Sequence, residues 1–181
     1  IDNYREALKL DPTATFLAEE LADLYIQGNR LREGVNEFEA VIKQNPADLN
    51  ARRILARIYT RMISDQQSRI REDMVKKAVE QYQEIAKADP KDFDTYLMLG
   101  RLYKVAQNSP EAEKAYKQAL EIDADNEDAL AGLAMVYSDL GDHKRSTEML
   151  ARISAKSPNA RTLVQLASEY EQMREYALAA Q

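Results

Sequence analysis

Apolar and small residues recur along this chain with helical spacing, and short polar breaks separate the runs. In LMLGRLYKVAQNSPEAEKAYKQALEIDADN, Leu99, Gly100 and Tyr103 fall at i, i+1 and i+4, one face of a helix. Ala112, Tyr116 and Ala119 fall at i, i+4 and i+7 and predict a second helix. Between them, Ser109-Pro110-Glu111 supplies an N-cap, a proline at the first helical position and an acid in the first turn. Small residues let two antiparallel helices approach closely, and aromatic rings fill the space beside them.

The same pattern returns at fixed intervals. Aligned on Pro12, Pro46, Pro90, Ala124 and Pro158, the chain shows spacings of 34, 44, 34 and 34. Nine residues after the first four anchors stands Leu21, Leu55, Leu99 or Leu133, then a small residue (Ala22, Ala56, Gly100, Ala134), then Tyr25, Tyr59, Tyr103 or Tyr137. After Pro158 the set comes one residue early, as Leu166, Ala167 and Tyr170. Before the anchors a second set repeats: Gly34, Ala78, Ala112 and Ser146; Tyr4, Phe38, Tyr82, Tyr116 and Leu150; Ala7, Val41, Ile85, Ala119 and Ile153. The ten tyrosines all fall in this register, Tyr96 in a bulky first slot and Tyr176 opening the last helix, so packing accounts for them.

The unit from Phe93 to Asn126 resembles the tetratricopeptide repeat, through Tyr96, Leu99-Gly100, Tyr103, Ala112, Tyr116 and Ala119, with Ala124 in place of the terminal Pro. The resemblance implies an all-α, right-handed superhelical solenoid of antiparallel helix hairpins. The expected organisation is one solenoid over 1–181: a second helix at 1–12, repeats at 13–46, 47–90, 91–124 and 125–158, and a truncated repeat at 159–181. Cut ends would expose apolar residues such as Leu8, Leu10 and Leu178, which suggests a piece of a longer array that associates end to end. The 47–90 repeat is ten residues too long. Its surplus near 63–72, ISDQQSRIRE, has no Pro or Gly, and Ile70, Met74 and Ala78 continue a helical stripe. Lengthened helices are expected there, with Ser64 or Ser68 as a cap; the extension reads either as a docking knob or as a tolerated insertion.

Composition narrows the function. The net charge of −6 disfavours nucleic-acid binding, and the absence of cysteine removes thiolate chemistry. No run approaches the roughly 20 apolar residues of a membrane span. The sole histidine, His143, reads as packing. The acidic run 123–128 lacks the central Gly of a calcium loop, and Ala134 stands where its closing Glu belongs, so it reads as a helix-capping turn. With no glycine-rich phosphate loop and no nucleophile elbow, no catalytic, cofactor or metal residue is assigned and the chain is read as non-enzymatic.

The resemblance implies a protein-interaction scaffold whose first helices line a concave groove that binds a protein or peptide segment. The groove positions obtained from the register include Asn50, Arg53, Arg57, Arg61, Leu97, Arg101, Lys104 and Met135. Arg53, Arg57 and Arg61 lie at i, i+4 and i+8, one line along a helix. They suit an acidic peptide or a C-terminal carboxylate, because the guanidinium fork holds a carboxylate with two hydrogen bonds. The competing reading is structural: Glu19 and Asp23 occupy the matching slots one repeat earlier and can pair with these arginines. The Lys and Asn pattern of a carboxylate clamp for chaperone tails is not met. A regulatory or substrate-presenting arm of a larger enzyme or secretion machine, and an end-to-end stacking module, are the alternative functions.

Overall fold

The computed structural model describes residues 1–11, 14–63 and 68–179, except the side chains of Lys9, 68–71 and 175–179. Among the described residues there are ten α-helices and no strand. The chain divides into two compact units, Ile1–Pro90 and Lys91–Gln181. The first holds α1 (Asp2–Leu10), α2 (Thr15–Gln27), α3 (Leu31–Gln44), α4 (Leu49–Ile63) and α5 (Ser68–Ala88). The second holds α6 (Phe93–Val105), α7 (Ser109–Ile122), α8 (Glu127–Asp139), α9 (His143–Lys156) and α10 (Ala160–Ala179).

Within each unit, every helix packs on its sequence neighbour, and α2 also meets α4 as α6 meets α8. The repeating small and aromatic residues form the contacts. In the first unit Leu21, Ala22, Tyr25, Phe38, Leu55, Ala56, Tyr59, Ala78, Tyr82 and Ile85 are all buried. In the second, Leu99, Ala112, Tyr116, Ala119, Leu133, Ala134, Tyr137, Leu150 and Ile153 are buried. Burial of this repeated set is the main hydrophobic driving force, at roughly 25 cal/mol per Å² of apolar surface removed from water.

Three hairpin turns are built alike. Arg30, Asn108 and Asp142 donate their backbone N–H to the carbonyls of Tyr25, Tyr103 and Tyr137 at 2.8, 2.9 and 2.8 Å. The residue before each has positive φ: Asn29 at 51°, Gln107 at 56° and Gly141 at 74°. This is the Schellman closure, in which one left-handed residue turns the last carbonyls of a helix onto two following amides. The next helix of the second unit is then capped by Asn108, whose Oδ1 accepts from the Glu111 amide at 3.4 Å. The cap therefore lies one residue before the expected Ser109, because Asn108 directly follows the left-handed Gln107 and has not yet entered the helix; Ser109 is the first residue of α7.

The opposite ends of the hairpins also share a device. Asp48, Asp92, Asn126 and Asn159 accept side-chain hydrogen bonds from the amides of Ala51, Thr95, Ala129 and Thr162. Each caps the helix that follows and satisfies an amide that would lack an intrahelical partner. In the acidic run 123–128, the residue that caps is Asn126.

The helix after the surplus segment is long. α5 has 21 residues where α3, α7 and α9 have 14 each. Ser68 opens it. The suggested Ser64 cap lies outside the described residues, as do the side chains of Ile70, Tyr176 and Leu178. Of the other expected apolar positions, Leu10 is exposed and Leu8 is half-buried.

Candidate functional site

The predicted groove residues divide between the two units. On α4 of the first unit, Asn50 and Arg53 are half-buried and Arg61 is exposed in the last turn. Arg57 reaches back to α2: one guanidinium nitrogen lies 2.6 Å from Glu19 Oε2 and another pairs with Asp23. The sequence left open whether this arginine would meet a ligand or these two acids, and in the structure it meets the acids.

The second unit repeats this arrangement with the signs reversed along the chain. Arg101 on α6 lies 2.8 Å from Asp128 at the start of α8. Lys104 lies 3.4 Å from Asp139 at the end of α8. Leu97, placed in the groove by register, is buried at 7% exposure and does not line it. The position belongs to the packed side of α6, since its neighbours Tyr96 and Leu99 are buried too.

Arg101, Lys104 and Met135 do come together, in an open groove of about 650 Å³ in the second unit. Val105, Ala131 and Met135 give it apolar surface, and Val105 and Met135 are 48% and 43% exposed. Its far wall is α10, through Arg161, Thr162 and Gln165. Arg161 is exposed and makes no ion pair among the described residues. The sequence reading missed this wall because the register shifts by one residue after Pro158 and the groove positions were carried only across the four complete repeats.

Tyr116 of α7 supports the floor. Its ring lies between Gly100 of α6 and Gly132 of α8: a methyl group would come within 2.7 Å of the ring at Gly100 and 2.4 Å at Gly132. Burial pushes the Tyr116 phenol above its ordinary pKa, so it stands neutral beneath the groove.

Beside the groove lies a smaller pocket of about 160 Å³, which shares Lys104, Met135 and Gln165 with it. Its inner wall is polar. Glu169 of α10 is 8% exposed and Ser146 of α9 is 1% exposed. His143 Nδ1 lies 2.6 Å from Glu169 Oε2, with both side chains largely buried. Burial pushes the Glu169 carboxyl up, but hydrogen bonding from Ser138 and His143 and the proximity of Ser146 outweigh it and hold the group below the ordinary carboxylate range. Ser146 Oγ itself reaches hydrogen-bond geometry with no partner. His143, read from sequence as a packing residue, thus serves a buried carboxylate 26 residues away.

Two family profiles, both described as tetratricopeptide repeat, match the chain, one over residues 19–61 and 75–129 and the other over 106–170. No curated protein sequence matches it. Among solved structures it is similar to TTC0263, a thermophilic tetratricopeptide-repeat protein of Thermus thermophilus, at 19% identity and a TM-score of 0.69, covering 92% of this chain and 87% of that one. MamA is similar at 19% identity and a TM-score of 0.75, with 91% and 86% covered. YrrB, described as having an unusual peptide-binding site, is similar at 14% identity and a TM-score of 0.72, with 94% and 84% covered.

Proposed function

The chain belongs to the tetratricopeptide-repeat family, and from that premise we propose that it is a protein-interaction scaffold whose second unit holds a partner segment in the groove between α6, α8 and α10. The segment seats an apolar side chain on Val105 and Met135 and places an acidic group on Arg161. One observation carries this assignment: Arg161 lines the groove without an internal counter-ion among the described residues, whereas Arg101 and Lys104 are answered by Asp128 and Asp139. A peptide-binding site in YrrB lends the reading a precedent at the level of fold.

A peptide-array screen at low and moderate salt tests it. Acidic hits that lose at least about tenfold, or 1.4 kcal/mol, in Arg161→Glu but survive in Arg57→Glu are the expected result. Hits that ignore Arg161→Glu rule out the acidic half of the reading. Circular dichroism on each variant separates lost binding from lost fold.

Self-association is a second reading, favoured by the exposed Leu163, Val164 and Tyr170 on α10. Its test is molar mass against concentration in light scattering, with Leu163→Lys as the variant. A constant monomer mass excludes it.

A further inference from the structure

We propose that the small pocket between α8, α9 and α10 is a specificity pocket for a cationic side chain, an ammonium or a guanidinium, which enters from the groove and meets Glu169. The inference deepens the groove assignment above and rests on it for the source of the side chain, but the pocket's chemistry stands on its own geometry.

An ionised carboxylate offers about four lone-pair positions. His143 Nδ1 and Ser138 donate to Glu169 and the Ser146 hydroxyl lies close to it, so at least one of these positions stays open. Ser146 Oγ, buried in the same wall, has no partner. A buried polar atom left without a hydrogen bond costs about 1–3 kcal/mol, and one facing a cavity is a site for a donor from outside. An ammonium brings three N–H donors and a guanidinium five, which suits two underused acceptors in one wall.

Charge points the same way. The pocket is lined by two carboxylates, Asp139 and Glu169, and one ammonium, Lys104. Lys104 pairs with Asp139 at 3.4 Å, which leaves Glu169 as the unbalanced charge of the lining. Leu150 and Met135 supply the apolar wall that the methylene stem of a long basic side chain covers. The volume of about 160 Å³ is the share of roughly five waters, enough for the end of such a side chain. Because Lys104, Met135 and Gln165 border both cavities, a segment lying in the groove has direct access to the pocket. A segment recognised by both sites carries opposite charges: an acid for Arg161 and a base for Glu169.

Small probes test the pocket without any peptide. The only histidine in the chain touches Glu169, so one set of imidazole NMR signals reports on the site. Butylammonium and propylguanidinium are titrated near neutral pH at constant ionic strength, with butanol as the neutral control. The expected result is a saturable shift of the His143 signals with one or both cations and none with butanol, weakened at least tenfold in Glu169→Gln. Ser168, exposed at the pocket rim, gives a variant less prone to unfolding. Ser168→Lys supplies a tethered ammonium and should abolish the response to added cation while the fold persists by circular dichroism. No saturable shift, an equal shift with butanol, or a response unchanged in Ser168→Lys overturns the proposal. Failure here leaves the Arg161 result untouched, and loss of peptide binding with intact probe binding separates the two in the other direction.

Discussion

Tyr116 shows how one side chain ties a hairpin to the next helix. Its ring occupies volume that a methyl group on Gly100 or Gly132 would invade, so it has little freedom to move away from either. Replacing a helical Gly with Ala normally stabilises by about 1 kcal/mol. At Gly132 the opposite is expected: a net loss of about 1–3 kcal/mol from overpacking, measured by urea unfolding, with much of it recovered in the Gly132→Ala/Tyr116→Leu double variant. Unchanged or increased stability of Gly132→Ala would mean that the ring has room to retreat. The register of small residues makes Gly100 legible from sequence. Gly132 is not, because Ile54 and Met98 fill the same slot in neighbouring repeats and the close approach of the Tyr116 ring to it shows only in the structure. Glu169 was hidden for a similar reason: nothing in the spacing joins it to His143.

Turns and alternate helices set the energetics of the elements. The left-handed residue of the Schellman closure is Gly141 in one hairpin but Gln107 in another. Gln107→Gly should raise stability by up to about 1 kcal/mol, part of the relief being offset by the greater freedom of the unfolded chain. Gly141→Ala should lower it by about 1 kcal/mol, and a neutral result in thermal unfolding would remove the argument. The ion pairs between alternate helices are mostly solvent-facing. Arg57→Ala should therefore cost only about 0–1 kcal/mol, less in high salt; a larger, salt-independent loss would show that the cluster with Glu19 and Asp23 is more than a surface feature. Charge in the sequence announced basic side chains on α4 and α6. It could not say which would be answered internally, because each partner lies about one repeat away and the pairing depends on how alternate helices align.

Across the whole molecule, the tyrosines make stability depend on alkaline pH. Burial raises the phenols of Tyr25 and Tyr59 in one unit and Tyr116 and Tyr137 in the other, with Glu37, Glu39 and Glu113 adding to the effect at Tyr25, Tyr59 and Tyr137. A folded pKa raised above the unfolded value means that the native state prefers the neutral phenol. That stability is fully present below the unfolded phenol value of about 10 and is lost as pH rises through the folded values. Far-ultraviolet circular dichroism and tyrosinate absorbance should therefore change together above about pH 10. Ionisation of these phenols at their ordinary value with helix content intact would contradict the burial seen here. The family and the helical architecture were legible because the repeat writes the same packing solution several times. The polar pocket was not, because it occurs once and joins residues from four helices.

Among the described residues, the main helix contacts within each unit join sequence neighbours or helices two apart along the chain. Chain closure is thus a series of short steps, each costing little loop entropy. A molecule built this way folds quickly and can begin wherever two adjacent helices first meet. It also lets the last helices loosen by themselves, so occupancy of the groove and pocket bordered by α10 would change how often that helix opens as well as what it holds.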